Sequence, residues 1–254
     1  MVSTVSTTNA LKNVHGTIAL AGAGKMGGAM LTGWLAQGLD PRRVVVIELK
    51  PSAEISALAA QGIRLNPSAK DAGEVDTLVV SIMAGIPIAS LEAVCGGSVV
   101  RAMPNTPAAI GRGITVAVPA KKVSAAQRAV ADALLRAIGS VEWVDNESLM
   151  DAVTAVSGSG PAYVFLLAEE LARAGVAAGL PAELATKLAR ETVAGSGELL
   201  HRSEVSSATL RQNVTSPGGT TAAALEVLMG PDGMEKLMTR AVAAATQRSK
   251  DLAK

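Results

Sequence analysis

Aromatic side chains are nearly missing from this sequence: two tryptophans, one tyrosine and one phenylalanine in 254 residues. With so few rings to stack on bases and no run of basic residues, nucleic acid is not an expected partner. An excess of charge of either sign is lacking too, since 23 basic and 22 acidic side chains leave a net charge of +1. A single cysteine, Cys95, cannot close an internal disulfide, and two scattered histidines, His15 and His201, make no metal cluster. The expectation is a cytoplasmic chain without structural metal. Gly, Pro and charges interrupt every apolar run before it reaches the length of a membrane span, so no membrane partner is expected. The opening MVSTVSTTNALK is polar and lacks the apolar stretch of a signal peptide; residues 1–14 are expected to be a disordered tail.

What is abundant is small and aliphatic. Apolar residues make up 49% of the chain, so the interior must be built from Ala, Val, Leu, Ile and Met, with helices packed closely over small side chains. The length suits two domains of ordinary size, expected at residues 15–146 and 147–254.

The first half reads as alternating strands and helices. The run TIALA, residues 17–21, has no helical spacing and passes into Gly22-Ala23-Gly24-Lys25-Met26-Gly27. This is G-x-G-x-x-G at a strand-to-helix junction. Its first glycine allows the tight turn, its second lets a pyrophosphate approach the backbone, and its third lets helix and strand pack closely. A helix over 26–37 follows, stopped by Gly38. A second strand over 42–47 then ends in Glu48, at the distance where an acidic side chain meets the adenine ribose. That carboxylate favours a free 2′-hydroxyl and hence NADH; Lys50, two residues on, offsets it, so the pair leaves NADPH or NADH open. Further strands are predicted at 62–65, 77–83, 99–103, 114–118 and 141–144, with helices at 52–61 and 124–138, the latter capped by Ser124. The pattern is an α/β layer with a mainly parallel sheet.

From about Asn146 strand signals stop. Helices are predicted over 147–156, 161–178, 181–201, 206–213, 220–229 and 231–253, mostly opening on Pro or Ser. Their faces are too small in bulk to shield the whole set in a monomer, so a dimer or larger assembly is expected through this half.

Three later stretches, RAMPNTP at 101–107, AVSGSGPAY at 155–163 and VTSPGGTTAAAL at 214–225, join the glycine motif. Together they closely resemble pyrroline-5-carboxylate reductase over nearly the whole chain. The resemblance implies a Rossmann-type domain followed by an all-helical dimerisation domain, NADPH or NADH as hydride donor, and an active site in a cleft between domains that is completed at a homodimer interface. It implies reduction of 1-pyrroline-5-carboxylate to L-proline. Such chemistry needs no metal or covalent nucleophile; the carboxylate must be held and the imine nitrogen given a hydrogen-bond partner. The N–H groups of Gly218, Gly219 and Thr220 suit the carboxylate. By position in the family's loop, the Thr221 hydroxyl faces the imine nitrogen, to orient it and relay a proton. Without the resemblance, capping of the following helix is the better reading of these threonines. Ser157, Gly158 and Ser159 read from their own chemistry as a flexible helix break, and from the resemblance as a wall of the substrate and nicotinamide pocket. Met103, Pro104 and Asn105 form a rigid turn after a strand, read as nicotinamide contacts, with turn formation as the competing role.

One departure stands out. The family has a further strand ending in an A-V-K-P type turn where this chain runs from Ala72–Val75 straight into Asp76–Ile86. Most of a crossover unit of about 30 residues is missing there. Two other readings follow: a non-catalytic dinucleotide-binding or assembly protein, and a related imine or β-hydroxyacid reductase. The β-hydroxyacid dehydrogenases carry a catalytic lysine on the helix after the Rossmann domain, and Pro161–Gly175 has no lysine.

Overall fold

Val44, Val45 and Val46 have no solvent exposure at all, as β-branched residues of a parallel strand covered on both faces should. They belong to β2 (Val44–Ile47), which lies between β1 (Ile18–Ala21) and β3 (Arg64–Leu65) in a three-stranded parallel ladder. The computed structural model describes residues 11–66 and 77–252. They fall into two compact units, one running to Gly158 and taking in the residues from Arg248 on, the other Ser159–Gln247.

In the first unit β1 leads into α1 (Lys25–Ala36), which buries Gly27, Met30, Leu31 and Trp34. These sit at the three- and four-residue intervals of one helix face. The Trp34 indole Nε1 donates to the carbonyl of Leu134 at 2.9 Å, so this large ring is buried with its polar group bonded. The helix expected over 52–61 is α2 (Ala53–Ala57), capped by Ser52, with a 3₁₀ turn over Leu58–Gln61. A second ladder runs β4 (Leu78–Ser81), β5 (Ser98–Met103), β6 (Gly113–Pro119) and β7 (Gly139–Trp143). Helix α3 (Ile88–Cys95), which the sequence reading did not separate out, makes the crossover between parallel β4 and β5. Helix α4 (Ala125–Arg136) does the same between β6 and β7, and Ser124 and Gln127 close a reciprocal capping box at its start. Strands β5 and β6 are antiparallel, joined by the 3₁₀ turn Thr106–Ile110 instead of a crossover helix.

The expected single sheet is thus two ladders over one core, in which Leu20 and Val46 of the first share a cluster with Val100 and Ala117 of the second. Among the described residues no strand pairing joins β1 to β4. Only residues 66–77 connect β3 to β4, too few for a further strand and its crossover helix. The shortened stretch after Val75 noted in the sequence lies outside the described residues. So do residues 1–10 of the expected tail, but the rest of that expectation is corrected: Leu11 is fully buried in the core and its N–H donates to the Gln37 carbonyl.

The helix expected over 147–156 is a 3₁₀ turn (Glu147–Leu149), a short α5 (Met150–Val153) and a π turn (Thr154–Gly158). Met150 packs with Ile88, Leu91, Val99 and Val118, which keeps this segment in the first unit. The first compact unit therefore runs on to Gly158. The second unit holds α6 (Gly160–Ala177), α7 (Ala182–Arg202), α8 (Ser207–Asn213), α9 (Thr220–Leu228) and most of α10 (Met234–Leu252). At Gly175 of α6 the helix α7 lies close, since a Cβ there would stand 3.1 Å from that of Ala185. Among the described residues no helix is long and apolar enough to cross a membrane.

Candidate active site

The three glycines of the first turn are in three different situations. Gly22 has φ +86°, a conformation glycine adopts freely, and its N–H donates to Ile47 O at 2.8 Å. Gly24 heads α1 with no side-chain cap, and a Cβ placed on it would meet nothing within 4 Å. Gly27 has no such room, because its Cβ would lie 2.0 Å from the Gly22 carbonyl oxygen. The turn is tight, the helix behind it is pressed close, and the first-turn amides of Lys25, Met26 and Gly27 have no intrahelical partner at the positive end of the helix. This arrangement fits a dinucleotide pyrophosphate.

Glu48 closes one side of the turn. Its Oε2 accepts the Ala23 N–H at 2.8 Å and its Oε1 the Lys50 N–H at 3.1 Å. The Lys50 amide first, and the Ala23 amide after it, hold the carboxyl below the ordinary glutamate range. Asn66 grips the backbone of Glu48 from β3's end, accepting its N–H at 2.8 Å and donating to its carbonyl at 2.9 Å. Asn66 does so at φ 45°, the left-handed region that asparagine tolerates better than most residues. Sequence reading passed over Asn66, since an asparagine after a short strand looks like any turn residue.

At the end of β5, Asn105 is buried and its Oδ1 accepts the Ile114 N–H at 2.9 Å, which ties the Met103-Pro104-Asn105 turn to β6. The side-chain oxygen of Asn105 is therefore engaged in holding the turn. Met103 reaches the π turn: its Cε would stand 2.6 Å from a Cβ on Gly158. Ser157 donates its hydroxyl to Val153 O at 3.0 Å. Behind both stands a pair the sequence reading did not single out. Arg101, with an 8% exposed side chain, meets Glu147 Oε1 at 2.8 Å, and the same oxygen accepts the Ile88 N–H. A charged residue in the otherwise apolar strand VVRAM was the available signal.

In the second unit Ser159 precedes α6, where Gly160 and not Pro161 is the first helical residue. The loop before α9 turns at Gly218, φ +70°, and Gly219 is the N-cap, extended and without a side-chain cap. The capping role for the threonines is corrected, because Thr220 and Thr221 are the first two residues inside the helix. Thr154, Thr186, Thr239 and Thr246 each return their hydroxyl to the carbonyl four residues back. In a first helical turn the residue four back lies outside the helix, and among the described residues the hydroxyls of Thr220 and Thr221 have no hydrogen bond. The loop thus presents unbonded first-turn amides and two unengaged hydroxyls, a set of donors suited to a small anion.

Comparison with known proteins bears on this geometry. The chain is 44% identical over 220 residues to pyrroline-5-carboxylate reductase of Pseudomonas aeruginosa, covering 86% of this chain and 77% of the relative. It is 37% identical to that of Mycobacterium leprae, covering 92% of this chain and 96% of the relative. The chain belongs to the pyrroline-5-carboxylate reductase family. Residues 147–252 match the family model described as pyrroline-5-carboxylate reductase dimerisation, and residues 17–98 one described as NADP oxidoreductase, coenzyme F420-dependent. The solved structure of a pyrroline-5-carboxylate reductase from Coxiella burnetii superposes with a TM-score of 0.86 at 31% identity, covering 95% of this chain and all of that one. The reductase family thus accounts for both the Rossmann-type and the helical parts of the fold, and the comparisons give no support to the non-catalytic alternative. The alignment with the M. leprae reductase runs over 286 positions against a chain of 254 residues, so at least 32 of those positions have no residue here.

Proposed function

We propose that this chain reduces 1-pyrroline-5-carboxylate to L-proline as a homodimer or an assembly of homodimers. When bound, NADPH or NADH supplies the hydride that adds to the imine carbon. The turn at Gly22, whose own N–H is bonded to Ile47 O, offers the amides of Gly24, Lys25, Met26 and Gly27 to the pyrophosphate, Glu48 and Lys50 flank the adenine ribose, and Met103, Pro104 and Asn105 serve the nicotinamide end. The N–H groups of Gly218 and Thr220 hold the substrate carboxylate, while that of Gly219 is spent on Ser216 O at 3.1 Å and shapes the loop, with Ser157, Gly158 and Ser159 beside the ring. Thr221 keeps its hydroxyl on the ring nitrogen. The carbon gains a hydride and the nitrogen gains or retains a proton, leaving a neutral C–N single bond in place of C=N. A threonine hydroxyl is too weak an acid to protonate the nitrogen alone, so Thr221 orients it and passes on a proton drawn from solvent.

The observation that carries this reading is the uncapped start of α9 with its two unengaged hydroxyls. The helices of the second unit also leave Phe165 67% and Val227 75% exposed, surface that a second copy would cover. We place the protein in the cytoplasm on its single cysteine, and its near-neutral charge offers nothing to nucleic acid or an anionic membrane. The test is oxidation of NADPH and NADH by the purified chain with and without 1-pyrroline-5-carboxylate. Oxidation should depend on the imine and fall about a hundredfold in Thr221→Ala. Turnover unaffected by that substitution would remove Thr221 from the reaction, and its absence from a folded dimer would sink the reductase reading for this chain.

A further inference from the structure

We propose that Glu48 makes this enzyme select NADH over NADPH. The inference rests on the reading that the first unit binds a nicotinamide dinucleotide, and it decides between two donors that the fold accepts equally.

The adenine ribose of a dinucleotide whose pyrophosphate lies at the start of α1 is directed to the end of β2. In the parallel register Ala21 lies level with Ile47, so Glu48 follows at the height of Gly22. Its carboxylate bonds the amide of Ala23, the residue between the first two glycines of the motif. The anion is therefore at the edge of the phosphate-binding turn and not out in solvent beyond the strand. It is also fixed. Two amides hold its oxygens, and the two-way bond with Asn66 holds its backbone. A carboxylate has about four acceptor sites, so two amides leave it able to accept the vicinal hydroxyls of an unphosphorylated ribose. The same amides favour its charged form.

A 2′-phosphate at that position would bring a second anion against the first. Discrimination then depends on what cation is at hand, since NADP-binding members of this fold class place an arginine there. Arg42 is paired with Asp40 at the other end of β2. Arg43 precedes that strand, and Arg64 is registered with Val45, three residues back from Glu48. Lys25 heads α1 beside the pyrophosphate position. Among the described residues that leaves Lys50, which is exposed and forms no ion pair with Glu48; its backbone N–H is what meets the carboxylate. A lone flexible ammonium gives less to a phosphate than the bidentate fork of an arginine. The fixed carboxylate prevails over the exposed lysine.

The experiment measures kcat/KM for NADH and NADPH, and in parallel the Kd of each by nicotinamide fluorescence with no imine present. Native chain, Glu48→Gln and Glu48→Ser are compared at low and high salt. NADH should be preferred by about tenfold or more. Glu48→Gln keeps an acceptor of the same size for the Ala23 amide while removing the charge, so it should bring the ratio down about tenfold, chiefly by tighter NADPH binding. High salt should narrow the native preference and leave that of Glu48→Gln unchanged, a response that a merely structural side chain would not produce. Equal or NADPH-favouring constants in the native chain, a ratio that both variants leave untouched, or failure to bind either dinucleotide would overturn the proposal. Should both variants fail to fold, the native ratio and its salt dependence still decide. Because the Kd ratio is read without substrate, selective binding with no imine turnover would remove the proposed reaction and leave the selectivity standing.

Discussion

Gly24 and Gly27 belong to one motif and are glycine for opposite reasons. A methyl at Gly27 would collide with the Gly22 carbonyl, so Gly27→Ala must open the turn, at roughly 1–3 kcal/mol of stability and with loss of binding of both dinucleotides. A methyl at Gly24 meets nothing of the protein and its backbone is in a region open to alanine. Gly24→Ala should therefore unfold at nearly the native temperature yet bind both cofactors at least about tenfold more weakly, because the methyl enters the space left for the pyrophosphate. Thermal unfolding and fluorescence titration of the two variants side by side check this contrast. Residues of this kind were legible in the sequence because spacing alone distinguishes them. Asn66 was not, because its role depends on β3 lying beside β2, and the idle hydroxyls of Thr220 and Thr221 were mistaken for possible caps because a one-residue difference in helix start separates a cap from a first turn.

At the scale of elements, α4 and β7 are joined by Asp132, whose carboxylate accepts Arg136 Nε at 2.7 Å and Trp143 Nε1 at 2.8 Å. Arg128 stands over the Trp143 ring at 4.5 Å. Burial raises the Asp132 pKa, but the bonds from Arg136 and Trp143 more than offset it and leave the group below its ordinary value of 3.8. A carboxylate depressed in the folded state contributes stability that is full above its unfolded value and lost as pH falls through its lower folded one. Asp132→Asn should then cost about 1 kcal/mol at neutral pH and flatten the acid limb of the stability curve, measured as unfolding midpoints against pH. The Arg101–Glu147 pair makes a sharper case. Glu147→Ala strands a buried guanidinium and the Ile88 N–H, and denaturant unfolding of the first unit should show a loss of about 3 kcal/mol. The long helices of the second unit were read from sequence to within a few residues, since a periodic face over many turns averages out local ambiguity. The start of α10 at Met234 instead of 231 and the π turn at Thr154–Gly158 were not, because loop and π geometry add or drop single residues that no periodicity reports.

For the whole molecule, the two ladders, with no pairing between β1 and β4 among the described residues, agree with the shortfall against the M. leprae reductase. A parallel sheet gains a strand only together with a further crossover, and the twelve residues between β3 and β4 are too few for both. Association is expected to supply what the second unit lacks in buried apolar surface. Phe165→Asp places a charge on that exposed face, and light scattering should show the assembly reduced to single chains, with imine-dependent turnover lost.

By itself the sequence determined where most of the strands and the long helices lie, that a glycine turn awaits phosphates, and which family the chain resembles. Those properties follow from residue order and local conformational preference. Only the tertiary structure decided that Glu48 is clamped from both sides, that Arg101 finds Glu147, and that Trp34 reaches the Leu134 carbonyl. Each depends on residues far apart in the chain being brought within bonding distance, and hydrogen bonds and ion pairs act only over that distance.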